Sequence, residues 1–202
     1  MSGLRERKKR KTLTAIHEAA MQLFAERGYA AVTVADIADA ADVSRATVFT
    51  YYPAKENIVL GEAPLAVESL AAALEGIDER AGIVLAVRGW LRTLSGWVEP
   101  DILLQRRLAE EVPAVGAARS SLLRAVEAVI AEALERTMGG EDTLAPRLVA
   151  GSLTAALATV EHEAAARMAS TGRALSDHEV DALLDTAVAF VDGGLARLEK
   201  RT

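Results

Sequence analysis

The stretch whose reading decides the fold is 33–53, TVADIADAADVSRATVFTYYP. Thr33 reads as the N-cap of a short helix, with Asp36 three residues on in the position of a capping box. Ile37, Ala38 and Ala41 give that helix a buried stripe, and it ends near Ala41. Asp42 and Val43 make a tight turn. Ser44 then caps a further helix over 45–51, and Pro53 stops it, because the residue before a proline disfavours helix. Two short helices joined by a turn of three or four residues define a helix-turn-helix. Ala38 suits the close crossing of the two helices, Val43 plugs the turn, and Val48 anchors the later helix from below. That arrangement turns Ser44, Arg45, Thr47, Thr50 and Tyr51 outward. Such hydroxyls, a long cation and an aromatic ring bond phosphates and base edges. A plain helical hairpin with a polar face is the alternative.

Upstream, Leu13, Ile16, Ala20, Leu23 and Phe24 recur at helical spacing and predict a helix over 8–27. Gly28 follows where a C-terminal cap needs a left-handed conformation. The charge distribution supports a nucleic-acid partner although the whole chain carries −6. Residues 1–60 hold nine Lys and Arg against seven Asp and Glu, and the remainder hold fourteen against twenty-two. Lys8, Lys9, Lys11 and Lys55 are four of the five lysines. Between Arg5 and Lys11 only Glu6 is not basic. A basic patch of this kind is the electrostatic footprint of phosphate binding; a solvated charged tail is the other reading.

The run 15–59, AIHEAAMQLFAERGYAAVTVADIADAADVSRATVFTYYPAKENIV, resembles the DNA-binding domain of tetracycline-repressor-type (TetR family) regulators. The resemblance lies in the LFAERGY helix end, the T-V-x-x-I-A second helix, V-S-x-x-T-V-F and the Y-x-x-K-E close. It implies an all-α homodimer, usually a repressor, without catalytic activity. It also implies roles for matching residues. Thr33 would cap its helix and touch a phosphate, and Ser44, Arg45, Ala46 and Thr47 would sit at the mouth of the major groove. Tyr51 would contact backbone or base, and Lys55 would bind phosphate. Two positions depart from the family's habit: Phe49 stands where Tyr is frequent, so a hydroxyl-to-phosphate bond that the resemblance implies is missing, and Tyr52 stands where Phe is frequent and is expected to stay a core ring.

Beyond Lys55 the pattern stays helical, punctuated at Pro64, Gly76, Gly82, Pro100, Pro113, Gly139-Gly140, Pro146 and Gly172. It predicts helices over 55–75, 81–98, 101–111, 114–137, 144–170 and 176–199. The expected organisation is therefore a three-helix DNA-binding domain with the helix-turn-helix over 1–54, then a larger helical ligand-binding and dimerisation domain over 55–202. The helix 55–74 is expected to link the two and pass movement between them. Apolar stripes on the last two helices, among them Val149, Leu153, Leu157, Val180, Leu184 and Val191, suit a four-helix bundle formed by two copies. Packing of both faces within one chain is the alternative.

For the small-molecule site the candidates are Trp90, Leu94 and Trp97 on one helix face, with Leu104, Leu108, Leu123 and Val126 as further apolar lining. Ordinary core packing explains each of them equally well. Arg107, or its neighbour Arg106, offers a cation for an anionic ligand, and ion pairs to Glu110 or Glu111 explain both as well. The segment 106–134, RRLAEEVPAVGAARSSLLRAVEAVIAEAL, more loosely resembles a subgroup that includes regulators of mycofactocin systems. That resemblance implies an acyl-CoA-like effector.

The sequence has no cysteine, which excludes disulfides, zinc-thiolate sites and thiol catalysis. His162 lies between two glutamates with no second histidine four residues away, so no metal site is expected. No phosphate loop, nucleophile elbow or H-E-x-x-H pair occurs, and no catalytic residue or cofactor is expected. With no long uncharged apolar run, the reading is a cytoplasmic protein without a membrane span. The expected function is a regulator that binds double-stranded operator DNA and is released by a small apolar or amphipathic molecule. A DNA-binding architectural protein without an effector is the alternative.

Overall fold

A computed structural model of the chain describes residues 2–95, 101–138 and 144–199, and all regular structure among the described residues is helical. The all-α expectation holds. The helices are α1 (Ser2–Arg27), α2 (Val34–Ala40), α3 (Arg45–Tyr51), α4 (Lys55–Val59), α5 (Ala63–Leu74), α6 (Arg80–Ser95), α7 (Ile102–Glu111), α8 (Pro113–Met138), α9 (Leu144–Thr171) and α10 (Asp177–Glu199). A single 3-10 turn, Tyr29–Ala31, stands between α1 and α2.

The chain forms two compact units. The first contains Met1–Pro64 and Asp101–Leu122. Its core is built on α1, whose Leu13, Ile16, Ala20, Met21 and Phe24 are buried at the predicted spacing. Against them pack Val32, Ile37 and Ala38 of the α2 region, Val48 of α3, Tyr52, and Ile58 and Val59 of α4. α1 begins earlier than periodicity suggested, so the basic segment 5–11 is itself helical. Gly28 has φ 80° and ψ 149°, a conformation open to glycine alone without strain, and its amide still reaches the Phe24 carbonyl at 3.0 Å.

The expected single helix over 55–74 is broken. α4 ends at Val59, and α5 starts at Ala63 after a turn in which Gly61 takes φ +59°. Pro64, with no amide hydrogen to give, fits only the first turn of α5, and the turn before it packs closely. Ile58 and Val59 are fully buried, and the imidazole of His17 lies where a Cβ on Gly61 would stand 3.6 Å from the ring. His17 Nδ1 and the Ile58 carbonyl are 2.8 Å apart. A carbonyl only accepts, so Nδ1 carries the proton and donates. His17 Nε2 is then the acceptor for the Gln105 side-chain amide on α7, at 3.3 Å. These contacts place α4 and α7 in the first unit, which therefore extends beyond residue 54 and includes a later stretch of sequence.

The second unit contains Leu65–Pro100 and Leu123–Thr202. Its core joins Leu70 and Leu74 of α5, Ile83, Val84, Val87 and Trp90 of α6, Val126, Ile130 and Leu134 of α8, Val149 and Leu153 of α9, and Val180, Leu184 and Val191 of α10. Arg88 and Arg92 on α6 pair with Asp185 and Asp181 on α10. The N-terminus of α10 is fixed by Glu179. It accepts from Arg173 at 2.8 Å and from the Ser176 amide at 2.9 Å, and these bonds hold its carboxyl well below the usual carboxylate range. Among the described residues no helix is long and apolar enough to cross a membrane, and no cluster of His, Asp and Glu is able to hold a metal ion.

Candidate nucleic-acid interface

α2 and α3 are each started by a side-chain cap. Thr33 Oγ1 accepts from the Asp36 amide at 3.2 Å, and Asp36 Oδ2 accepts from the Thr33 amide at 2.7 Å, closing the predicted capping box. The Thr33 hydroxyl proton also goes to Asp36 Oδ2, at 2.5 Å. Donation from that hydroxyl to a phosphate would require breaking this bond. These two bonds, then the Arg27 guanidinium 3.4 Å away, lower the pKa of Asp36. Ser44 Oγ accepts from the Thr47 amide at 3.0 Å and starts α3.

Between the two helices Asp42 adopts φ 53°, the left-handed conformation that Asp tolerates better than most residues. The turn is closed by Ala41 to Ile37 at 2.9 Å and by Val43 to Ala38 at 2.9 Å. Ala38 is buried, as the close crossing demands, and Val48 is fully buried beneath α3. This is the helix-turn-helix expected from the sequence.

The outward face of α3 differs from the expected one. Thr47 and Tyr51 are half-buried, whereas Ser44, Arg45, Ala46, Phe49 and Thr50 are exposed. Phe49, 47% exposed, was missed as a surface contact. The signal was available, because Phe49 stands one turn after Arg45 and next to buried Val48. The hydroxyls are also less free than their composition suggests. Thr50 Oγ1 donates to the Ala46 carbonyl at 2.9 Å, and Ser44 Oγ and Thr47 Oγ1 are 2.8 Å apart.

Lys55 is held differently from the expected phosphate-binding side chain. Its Nζ donates to the Tyr29 carbonyl at 2.8 Å and the Val32 carbonyl at 2.9 Å, and sits 3.9 Å from the centre of the Tyr29 ring. One N–H of the three remains. Partial burial lowers the lysine's pKa, with Glu56 acting in the opposite direction. The first role of Lys55 is to tie α4 to the segment entering α2. Lys8 and Lys11 lie exposed on α1 and Lys9 is half-buried.

The candidate ligand residues are divided between the two units. Trp90 is 5% exposed and belongs to the second unit's core, its indole N–H shared between the Ala66 carbonyl and Ser69 Oγ, both at 3.0 Å. Val126 is in the same core and Leu123 is half-buried. Leu104, Arg107 and Leu108 belong to the first unit, with Leu108 buried and Arg107 exposed. Arg106 pairs with Glu110 at 3.0 Å. Trp97 lies outside the described residues, as does the Leu94 side chain. A cleft of about 410 Å³ opens elsewhere in the first unit, lined by Ala15, Glu18, Gln22, Leu23, Ala41 and Asp42 among others.

The sequence profile of the family described as bacterial regulatory proteins, tetR family, matches residues 16–61, the segment that runs from the later part of α1 through α4. Over 152 residues the chain is 32% identical to MftR of Mycobacterium tuberculosis, named as a mycofactocin biosynthesis transcriptional regulator; the match covers 73% of this chain and 77% of that one. The chain belongs to the TetR family. It is also 33% identical over 151 residues to the HTH-type transcriptional regulator TcmR of Streptomyces glaucescens, covering 73% of this chain and 63% of that protein. Both relatives of this TetR-family chain are named as transcriptional regulators.

Solved structures share the fold. A TetR-family transcriptional regulator from Mesorhizobium loti matches with a TM-score of 0.57 at 23% identity, over 91% of this chain and 96% of that one. FadR of Thermus thermophilus, a TetR-family repressor crystallised with lauroyl-CoA, matches with 0.54 at 23% identity, over 89% and 92%. As a member of this family the chain is a DNA-binding transcriptional regulator.

Proposed function

We propose that the chain is a homodimeric, ligand-responsive repressor. The first unit, carrying α2 and α3, reads the operator. The second unit pairs with its copy through α9 and α10 and takes up a small apolar or amphipathic effector, whose binding releases the DNA.

The observation that carries this reading is apolar surface left over once each chain has folded. Leu144 and Leu148 on α9 are 63% and 53% exposed, and Phe190 on α10 is 75% exposed. On α9 the same exposed line continues through Ser152, Ala155 and Thr159, small side chains three and four residues apart. Small residues along a line let a partner helix approach closely, and two such helices from each copy make a four-helix bundle. A two-fold dimer built this way suits an operator whose half-sites lie about one helical turn apart.

A long acyl thioester is the first effector to test. Support comes from the lauroyl-CoA bound by the Thermus FadR and from the likeness to MftR. The experiment adds lauroyl-CoA to the full chain on a labelled operator duplex obtained by selection, while following tryptophan fluorescence. An effector that prefers the released state weakens DNA binding by about 5–150-fold at typical coupling strengths. Saturating fluorescence change with unaltered operator affinity rules out lauroyl-CoA as the releasing ligand. Light scattering checks the dimer: a monomer at micromolar concentration refutes the interface.

A further inference from the structure

The reading face of α3 is more apolar than its hydroxyl-rich sequence suggests. At 100° per residue, Arg45, Ala46, Phe49 and Thr50 fall on one side of the helix, opposite the buried Val48, and all four are exposed. Thr50 has one O–H, and it donates to the Ala46 carbonyl at 2.9 Å. The Thr50 oxygen is thus left only as an acceptor, with its γ-methyl on the exposed flank. Ser44 and Thr47 bond each other across the helix start at 2.8 Å, and Thr47 is half-buried. What remains on the face is one guanidinium, the Thr50 oxygen as an acceptor, two methyl groups and an aromatic ring, the last 47% exposed.

The major groove offers one apolar group among its base edges, the C5-methyl of thymine. Phosphates give an exposed phenyl ring nothing comparable, and the C–H groups of deoxyribose are the same at every base pair and carry no sequence information. An exposed phenylalanine on the reading helix therefore has a matching partner in duplex DNA. We propose that Phe49, flanked by the Ala46 methyl and the Thr50 γ-methyl, reads thymine C5-methyl groups in the operator, beside one guanine contacted by Arg45. The inference rests on the DNA-reading role of α3 and specifies its chemistry. Arg45 supplies the directional hydrogen bonds, since an arginine fork matches the guanine O6 and N7 acceptors. Phe49 supplies discrimination by contact.

The test removes methyl groups without altering base pairing. The full chain selects binding sites from a random duplex pool, and each thymidine of the selected site is then replaced in turn by deoxyuridine. Burial of one methyl-sized group corresponds to about fourfold in affinity. The expected result is a loss of about that size at one or two positions in each half-site. In Phe49→Ala, deoxyuridine and thymidine bind alike at those positions, while Phe49→Tyr keeps the discrimination because the ring remains. Phe49 is exposed, so Phe49→Ala keeps its fold, which circular dichroism and thermal melting check.

The outcomes separate the inference from the reading beneath it. A pool that yields no shared site removes the DNA-reading assignment of α3. A shared site whose thymidines all tolerate deoxyuridine overturns the thymine inference and leaves DNA reading intact. Methyl sensitivity that persists unchanged in Phe49→Ala also overturns it, because another element then senses the methyl.

Discussion

Lys55 shows why a residue's type and its place have to be argued separately. A lysine opening a helix next to a DNA-reading element suits a phosphate contact, yet two of its N–H groups already serve the Tyr29 and Val32 carbonyls and its charge lies over the Tyr29 ring. Hydrogen bonds to charged groups contribute about 1.5–3 kcal/mol each when well formed, less when partly solvated. Lys55→Ala is therefore expected to lower unfolding stability in urea by about 1–3 kcal/mol, whereas Lys8→Ala, on an exposed position, leaves it within about 0.5 kcal/mol. Equal and negligible effects in both variants would return Lys55 to a purely phosphate-binding role. Trp90 carries the same lesson. In the sequence a large aromatic on an apolar helix face reads equally as core or as pocket lining, and it is the burial of Trp90 among the second unit's apolar side chains, with its indole N–H shared between Ala66 and Ser69, that places it in the core. Phe49 was legible in principle, by helical geometry, and was hidden by the habit of seeking hydroxyls and cations on a DNA-reading helix.

At the scale of elements, what was legible is what local chemistry determines. Thr33 with Asp36, and Ser44, cap α2 and α3 where their residue types and spacing place them, since a cap needs only its own few residues. Loss of the Thr33 cap in Thr33→Ala is expected to cost about 0.5–2 kcal/mol. Asp36 and Glu179, both with pKa values lowered in the folded chain, contribute to the acid side of the stability curve. A lowered native pKa adds stability that is fully present above the unfolded carboxylate range, about pH 4, and is lost as pH falls through the native values. Thermal melts from pH 7 downward are expected to hold until about pH 5 and then fall, with a shallower fall in a Thr33→Ala, Glu179→Gln double variant. An identical acid slope in that variant would contradict the assignment. The break between α4 and α5 was masked by the apolar pattern that runs from Ile58 and Val59 into Leu65 and Leu70, although Gly61 and Pro64 both mark it: Gly61 takes a positive φ and Pro64 stands in the first turn of α5.

For the whole molecule, the uneven charge along the chain matters more than its sum of −6. Helix α1 carries the basic segment in regular helical form, with Lys8 and Lys11 exposed. Each lysine neutralising a phosphate steepens the fall of log affinity with log salt by about 0.9. Replacing Lys8, Lys9 and Lys11 by Ala is expected to flatten that slope and to weaken operator and unrelated DNA about equally, while Arg45→Ala costs about 1–3 kcal/mol on the operator alone. A sequence-specific effect of the lysines would show that α1 reads bases. The central claim is that the helix-turn-helix of α2 and α3 binds a defined DNA sequence as a symmetric pair. Selection from a random duplex pool by the full chain tests it most directly. The account predicts enrichment of an inverted repeat whose half-sites are centred about one helical turn, or a multiple of it, apart, with Arg45→Ala losing that preference. A pool that remains random after repeated rounds, or a site enriched equally by Arg45→Ala, would contradict it.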